Sequence, residues 1–302
     1  SDASLGTPTA HDNCGVAVER TGVPAGNFFP VGTTTITYTA TDPSGNTAVA
    51  TQTVTVADDT APTITVANLS LATDHGVCTA AVSALGASAG DNCGIQTLVG
   101  TRSDGAALTD AFPKGTTTVT WTATDVHGNS STATQTVTVT DHELPTITVT
   151  DLSMTNDPGV CGASITSLGA SAGDNCGIAS LVGTRNDGRL LTDVYPTGTT
   201  TISWLATDVN GNQAGATQHV GVADTEHPTL AAPASLNRTT GPGSQQCGVV
   251  VGNADLGTPV AHDNCDVAVR VDGVPAGNLF PVGVTTLTWT ATDPSGNSRS
   301  AT

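Results

Sequence analysis

Positive charge is what this chain has least of. Lys and Arg total 8 of 302 residues, with Lys114 the only lysine, against 26 Asp and Glu, for a formal net charge of −18. A field of that sign repels phosphate backbones and anionic headgroups, which excludes nucleic acid as a partner and favours divalent cations. No apolar run approaches the roughly 18 residues of a membrane-spanning helix, so membrane insertion is not expected. Aromatic residues are only 3% of the chain, too few for a row of exposed rings that would grip a sugar. No Ser-His-Asp, Cys-His or paired-carboxylate set recurs, and no histidine pair has a repeated zinc-ligand spacing, so an enzyme is not expected.

What the chain does have is one phrase written four times. Asp-Asn-Cys leads to Pro-x-Gly-Thr-Thr-Thr or a close variant, then to an alternating strand and Thr-Asp-x-x-Gly-Asn, around Cys14, Cys93, Cys176 and Cys265. A fixed period marks an array of like modules. Pro62, Pro145 and Pro228 lie 83 residues apart in succession and set the boundaries. The expected modules are 1–58 (first strand missing), 59–141, 142–224 and 225–302 (last strand missing). Cys14 matches Cys265, and the counterpart of Cys247 would fall before Ser1. The expectation is therefore an interior piece of a longer secreted chain.

Modules of about 80 residues bury small cores and often need staples. Two cysteines per module suit an oxidising, extracellular setting, and nearness in sequence pairs Cys78 with Cys93, Cys161 with Cys176 and Cys247 with Cys265, leaving Cys14 without a mate. That pairing has a cost in geometry. A bridge needs Cα atoms within about 7 Å, which pulls the Asp-Asn-Cys loop away from its usual place in a sandwich.

Within a module, apolar and polar residues alternate at period two, as in Val119, Trp121 and Ala123 against Thr118, Thr120 and Thr122. One large ring per module, Tyr38, Trp121, Trp204 or Trp289, falls at the inward position as a core anchor. About seven short strands with frequent turn signals and no helical period indicate an all-β chain of tandem immunoglobulin-like β-sandwich modules. Short proline-bearing linkers such as Ala57 to Pro62 suggest an elongated, stiff rod.

The phrases Asp-Asn-Cys-Gly (91–94, 174–177), Phe-Pro-Val-Gly-Thr-Thr-Thr (29–35) and Ala-Thr-Asp-Pro-Ser-Gly-Asn (40–46) resemble the hyalin repeat, or HYR, family. That family comprises immunoglobulin-like modules of extracellular matrix, sushi-containing animal proteins and very large bacterial surface proteins. The resemblance covers essentially the whole chain and implies an adhesive or structural role outside the cell, without catalytic residues. Animal members usually carry a cysteine in the closing strand, which is absent here, so their disulfide map does not transfer. The Ala/Thr-rich, lysine-poor style resembles the bacterial arrays.

Calcium is the ligand the residues favour. Hard oxygen donors gather in the linkers at Asp58, Asp59, Asp141, Glu143, Asp224 and Glu226. More lie in the loops before the last strands, at Asp125, Asn129, Asp208, Asn212, Asp293 and Asn297. In a sandwich that enters at one pole and leaves at the other, these loops face the preceding linker. Asp-x-x-Gly-Asn is also an ordinary turn, with the carboxylate accepting backbone N–H groups, and both readings stand. The expected function is a structural stalk or filament segment of a large extracellular or cell-surface adhesin, its partners being neighbouring modules of the same or identical chains. The alternatives are a filament subunit polymerising by strand complementation, or an array binding carbohydrate, surface glycans or matrix.

Overall fold

The computed structural model describes residues 4–302. The first three residues of the range 1–58 lie outside it. The described residues fall into two compact units, one made of the chain up to Asp74 with Thr79–Thr140, the other of His75–Cys78 with Asp141–Thr302.

In the first unit the repeat that begins after Asp58 folds as two facing sheets. Leu69–Ala72, Ser130–Thr140, Gly115–Asp125 and Ile95–Arg102 lie side by side in one four-stranded sheet. Its edge strand Leu69–Ala72 runs parallel to Ser130–Thr140, while the other pairs are antiparallel. The second layer is built in short pieces, Thr63–Thr65 with Ser88–Gly90 and Thr79–Ala80 with Phe112–Pro113. Two packed sheets with this edge arrangement make an immunoglobulin-like sandwich. The preceding repeat contributes the three-stranded sheet Ala17–Thr21, Gly32–Thr41 and Thr47–Val56.

The alternation puts the right residues inside. Val119 and Ala123 are fully buried, Trp121 nearly so, and Phe112, Val137 and Val139 close over them. Trp121 has room because Gly100 lies across from it on the neighbouring strand. A Cβ at Gly100 would stand 2.9 Å from the indole ring.

The second unit repeats the plan. Leu152–Thr155, Gln213–Ala223, Gly198–Asp208 and Ile178–Arg185 form its four-stranded sheet, and Trp204, Ile202, Tyr195, Val220 and Val222 its core. Gly183 faces Trp204 as Gly100 faces Trp121, with a would-be Cβ 2.8 Å from the ring. Overfilling a packed core costs about 1–3 kcal/mol, so Gly183→Ala should lower the unfolding free energy of its repeat by that amount, seen as a lower urea midpoint. An unchanged midpoint would mean the ring slides aside freely. The last repeat carries the three-stranded sheet Ala268–Asp272, Thr288–Thr292 and Ser298–Ala301. It also has the pairs Thr229–Ala231 with Val260–His262 and Gly248–Val250 with Leu279–Pro281.

Two buried polar devices hold the two central sandwiches. Trp121 donates its indole N–H to Gln135 Oε1 at 3.0 Å, and Gln135 Nε2 donates to the carbonyls of Ala67 (2.6 Å) and Leu85 (2.7 Å). Trp204, Gln218, Thr150 and Leu168 repeat this in the second unit. The other device is an arginine. Arg102 stacks 3.8 Å over Phe112, pairs with Asp104 through two hydrogen bonds and donates to the carbonyls of Ala107, Asp110 and Ala111. Arg185 does the same over Tyr195 with Asp187. The arginine's hydrogen bonds hold the Asp104 and Asp187 carboxyls below their ordinary range.

Candidate cation site and inter-repeat bridges

The turn Asp125-Val126-His127-Gly128-Asn129 joins the two longest strands of its sheet. Asp125 Oδ1 accepts the backbone N–H groups of His127 (2.8 Å) and Asn129 (2.9 Å), and Oδ2 accepts from Asn129 Nδ2 at 2.7 Å. A register shift at Thr124/Asp125 re-aims the side chain, as bulges beside functional sites do. Asp125 is fully buried. Burial pushes its carboxyl pKa up, but the bonds from Asn129, His127 and Gly128 outweigh it and hold the value below normal; Asp208 shows the same balance. Both are ionised carboxylates inside the protein.

These turns meet the preceding linker. Asn129 Nδ2 reaches the Asp58 carbonyl at 3.1 Å, Asn212 Nδ2 that of Asp141 at 3.3 Å, and Asn297 Nδ2 that of Asp224 at 3.2 Å. The Asp-Asn-Cys loop closes over the same point. Carboxylate oxygens of Asp58, Asp91 and Asp125 lie within 4.8 Å of one another, and so do those of Asp141, Asp174 and Asp208. In the last repeat Asp224 and Asp263 cluster with the bridged Cys265, while Asn297 joins Asp293 to the Asp224 backbone. Asp91 Oδ1, Asp174 Oδ1, Asp263 Oδ1 and Asp224 Oδ2 are buried and accept no hydrogen bond. Three carboxylates turned together, with orphaned oxygens and no Lys or Arg among them, are a donor set for a hard divalent cation.

The sequence-predicted residues divide into three groups. Asp58, Asp125, Asp141, Asp208 and Asp224 enter these clusters, and Asp293 lies in the turn beside its own. Asn129, Asn212 and Asn297 brace the turns as donors. The linker acids beyond them do something else: Glu143 accepts from the Gly76 N–H at 2.9 Å and meets His75, and Glu226 accepts from the Gly159 N–H at 2.8 Å. Asp59 is exposed. Asp91, Asp174 and Asp263 were missing from the sequence-based set, although their recurrence before Asn-Cys was the signal. The turn reading and the cluster reading use one carboxylate in both roles.

The disulfides overturn the expected pairing. Cys78 is bonded to Cys176 and Cys161 to Cys265, with Cα atoms 4.7 and 4.5 Å apart. Cys14, Cys93 and Cys247 are free thiols among the described residues. None of the pairs Cys78–Cys93, Cys161–Cys176 and Cys247–Cys265 forms. The reason is visible in the repeat between Asp141 and Asp224. Its Cys176 loop sits at the Asp141 end, where Asn175 donates to Asp141 Oδ1, and its Cys161 turn sits at the other end, where Gly159 donates to Glu226. Fifteen positions along the chain separate two opposite poles. Each bridge instead joins the tip cysteine of one repeat to the Asp-Asn-Cys cysteine of the next. The thiol of Cys93 has its pKa raised, by burial first and then by a hydrogen bond to Asp58 and the charges of Asp58, Asp91 and Asp125.

These features define a tandem-repeat protein of immunoglobulin-like sandwiches, with disulfides between successive repeats. The chain belongs to the HYR domain family, which matches residues 3–56, 57–139 and 223–302. It is similar to hyalin of Strongylocentrotus purpuratus, 36% identical over 98% of this chain and 25% of that protein. Hyalin of Lytechinus variegatus is 37% identical over 98% of this chain and 56% of that protein. The chain thus spans a quarter to about half the length of these relatives. Among solved structures it is similar to a protocadherin gammaB7 EC3-6 fragment, at TM-score 0.31 and 16% identity over 96% of this chain and 92% of that one. Drosophila N-cadherin EC1-4 gives 0.33 and 14% over 68% and 66%. No helix among the described residues is long and apolar enough to cross a membrane.

Proposed function

We propose that this chain is a non-enzymatic, load-bearing segment of an extracellular adhesion-type protein, in which calcium and disulfides fix each repeat to its neighbour as a stalk or filament. The module boundaries are 1–58, 59–141, 142–224 and 225–302, and the partners are neighbouring repeats and matrix. The observation that carries this reading is the coincidence, at the Asp141 end of its repeat, of a linker carboxylate, the buried turn carboxylate of Asp208, the half-buried loop carboxylate of Asp174 and an inter-repeat bridge. Three like charges held together cost free energy that a divalent cation would offset. The family membership supports a role outside the cell, and the scarcity of exposed rings weighs against sugar recognition.

The test is thermal unfolding against calcium. A ligand bound only by the folded state stabilises by about 2.7 kcal/mol at a concentration 100 times its Kd. Saturating calcium should therefore raise the melting temperature of the EGTA-treated chain, and Asp208→Asn should remove the rise for its own repeat. A melting curve indifferent to calcium would end the cation part of the reading. For the stalk, four repeats each as long as an 11-residue strand at about 3.3 Å per residue give a maximum dimension on the order of 140 Å. Solution scattering that returned a dimension near half of that would exclude an extended segment.

A further inference from the structure

We infer that the inter-repeat disulfide sets the cation affinity of the acidic cluster beside it, so that the Asp-Asn-Cys sequence couples thiol redox state to calcium binding. The inference rests on the cation reading above. In the repeat after Asp141, Asp174 supplies a cluster carboxylate and accepts the N–H groups of Cys176 (2.8 Å) and Gly177 (3.2 Å) on the same Oδ2. Asn175 Nδ2 donates both to Asp141 Oδ1 (3.3 Å) and to the Val77 carbonyl (3.1 Å), one residue from the Cys78 end of the bridge. The last repeat is built alike. Cys265 donates to Asp263 at 3.0 Å, and Asn264 Nδ2 joins Asp224 Oδ1 to the Val160 carbonyl, both at 3.2 Å, beside the Cys161 end. Asp, Asn and Cys thus have three tasks in a row: ligand, strut and anchor.

The cluster around Asp58 is the internal comparison. Asp91 and Cys93 keep the same local bond, at 2.7 Å, but Cys93 is a thiol, and among the described residues Asn92 reaches Asp58 Oδ1, at 3.5 Å, and Cys93 Sγ. A loop that holds like charges together binds a cation more tightly when its position is fixed beforehand, since less ordering remains to be done on binding. Opening the bridge releases the tip and removes the strut's second acceptor. The chemistry is thiol–disulfide exchange. A dithiol reductant gives two electrons and two protons to Cys78–Cys176, which becomes two thiols while the reductant closes its own disulfide.

The experiment is a calcium titration of the full chain by two-dimensional amide NMR, oxidised and after dithiol reduction. The N–H signals of Cys93, Cys176 and Cys265 report the three clusters separately. Reduction should weaken binding about tenfold at the Asp141 and Asp224 clusters, within the usual span of site-to-site coupling, and leave the Asp58 cluster unchanged. The double variant Cys161→Ser/Cys265→Ser should weaken the Asp224 cluster and spare the Asp141 cluster. Asn264→Ala, which keeps the bridge, should weaken the same cluster and serves if the double variant does not fold. Coupling is reciprocal, so saturating calcium should shift the Cys161–Cys265 equilibrium toward the disulfide by the same tenfold, about 30 mV for two electrons. Calcium bound equally well with bridges closed and open would overturn the coupling alone, as would equal weakening at all three clusters. No calcium binding to the oxidised chain would overturn the cation reading itself.

Discussion

Opening the Cys161–Cys265 bridge with paired serine substitutions should destabilise the repeats it joins by about 4–5 kcal/mol, the value chain entropy assigns to a closed loop of roughly a hundred residues. The two cysteines are 104 positions apart, so the open chain regains about 1.7 kcal/mol more freedom than a bridge across the 15 positions between Cys161 and Cys176 would have removed. Equilibrium unfolding in urea, followed by the fluorescence of Trp204 and Trp289, measures the loss. The effect should fall on both repeats together, because the bond belongs to neither alone. A change below 1 kcal/mol would mean that the repeats are held by non-covalent contacts and that the bridge is incidental to stability. The Cys78–Cys176 pair, 98 positions apart, should behave alike.

The second large effect lies inside a sandwich. Gln218 is fully buried and uses both amide hydrogens and its carbonyl oxygen: Oε1 accepts from Trp204 Nε1 at 3.0 Å, and Nε2 donates to Thr150 O at 2.6 Å and Leu168 O at 2.8 Å. Gln218→Leu keeps the volume and adds apolar surface. It also leaves the indole N–H without an acceptor in the core and two carbonyls without their donor. Each buried orphan costs about 1–3 kcal/mol, so the net loss should be about 2–5 kcal/mol after the gain in apolar burial. Gln218→Glu should lose stability as well, because one of its carboxylate oxygens would face two carbonyls. Urea midpoints of both variants check this, with Gln135→Leu as the parallel test in the first unit. If leucine matched the native stability, the glutamine would be a space filler and the bonds would contribute nothing net.

Much of each repeat was legible beforehand for a local reason. Strand alternation is a two-residue property, so Val119, Trp121 and Ala123, or Ile202, Trp204 and Ala206, announce which face is buried whatever they pack against. Turns written Pro-Lys-Gly or Asp-Val-Asn-Gly-Asn carry their own backbone requirements. The edge strand Leu69–Ala72 and the short strand Ser88–Gly90 were not read. They are only four and three residues long, below the span at which alternation can be told from chance.

The site was half legible. Asp58 and Asp125 were seen as donors at one pole, because the path of a chain through a sandwich places the last hairpin beside the entering linker. Asp91 was not placed, because its position was tied to a mistaken bridge. Once Cys93 is released from Cys78, its loop returns to the pole, and Asp91 completes the cluster. Glu143 and Glu226 carried the same charge and sat two residues on, yet they cap the tip turns of other segments. Charge and spacing do not distinguish a ligand from a cap.

The amino-acid sequence by itself settled the repeat, the sandwich and the buried rings Trp121 and Trp204, since each follows from residues that act within one strand, one turn or one period. The partners of the cysteines, the third carboxylate of each cluster and the glutamine and arginine that fill the cores were decided by the tertiary structure alone. Those depend on which residues meet across sheets and across successive repeats, up to 104 positions apart in the chain, and proximity of that kind leaves no local mark.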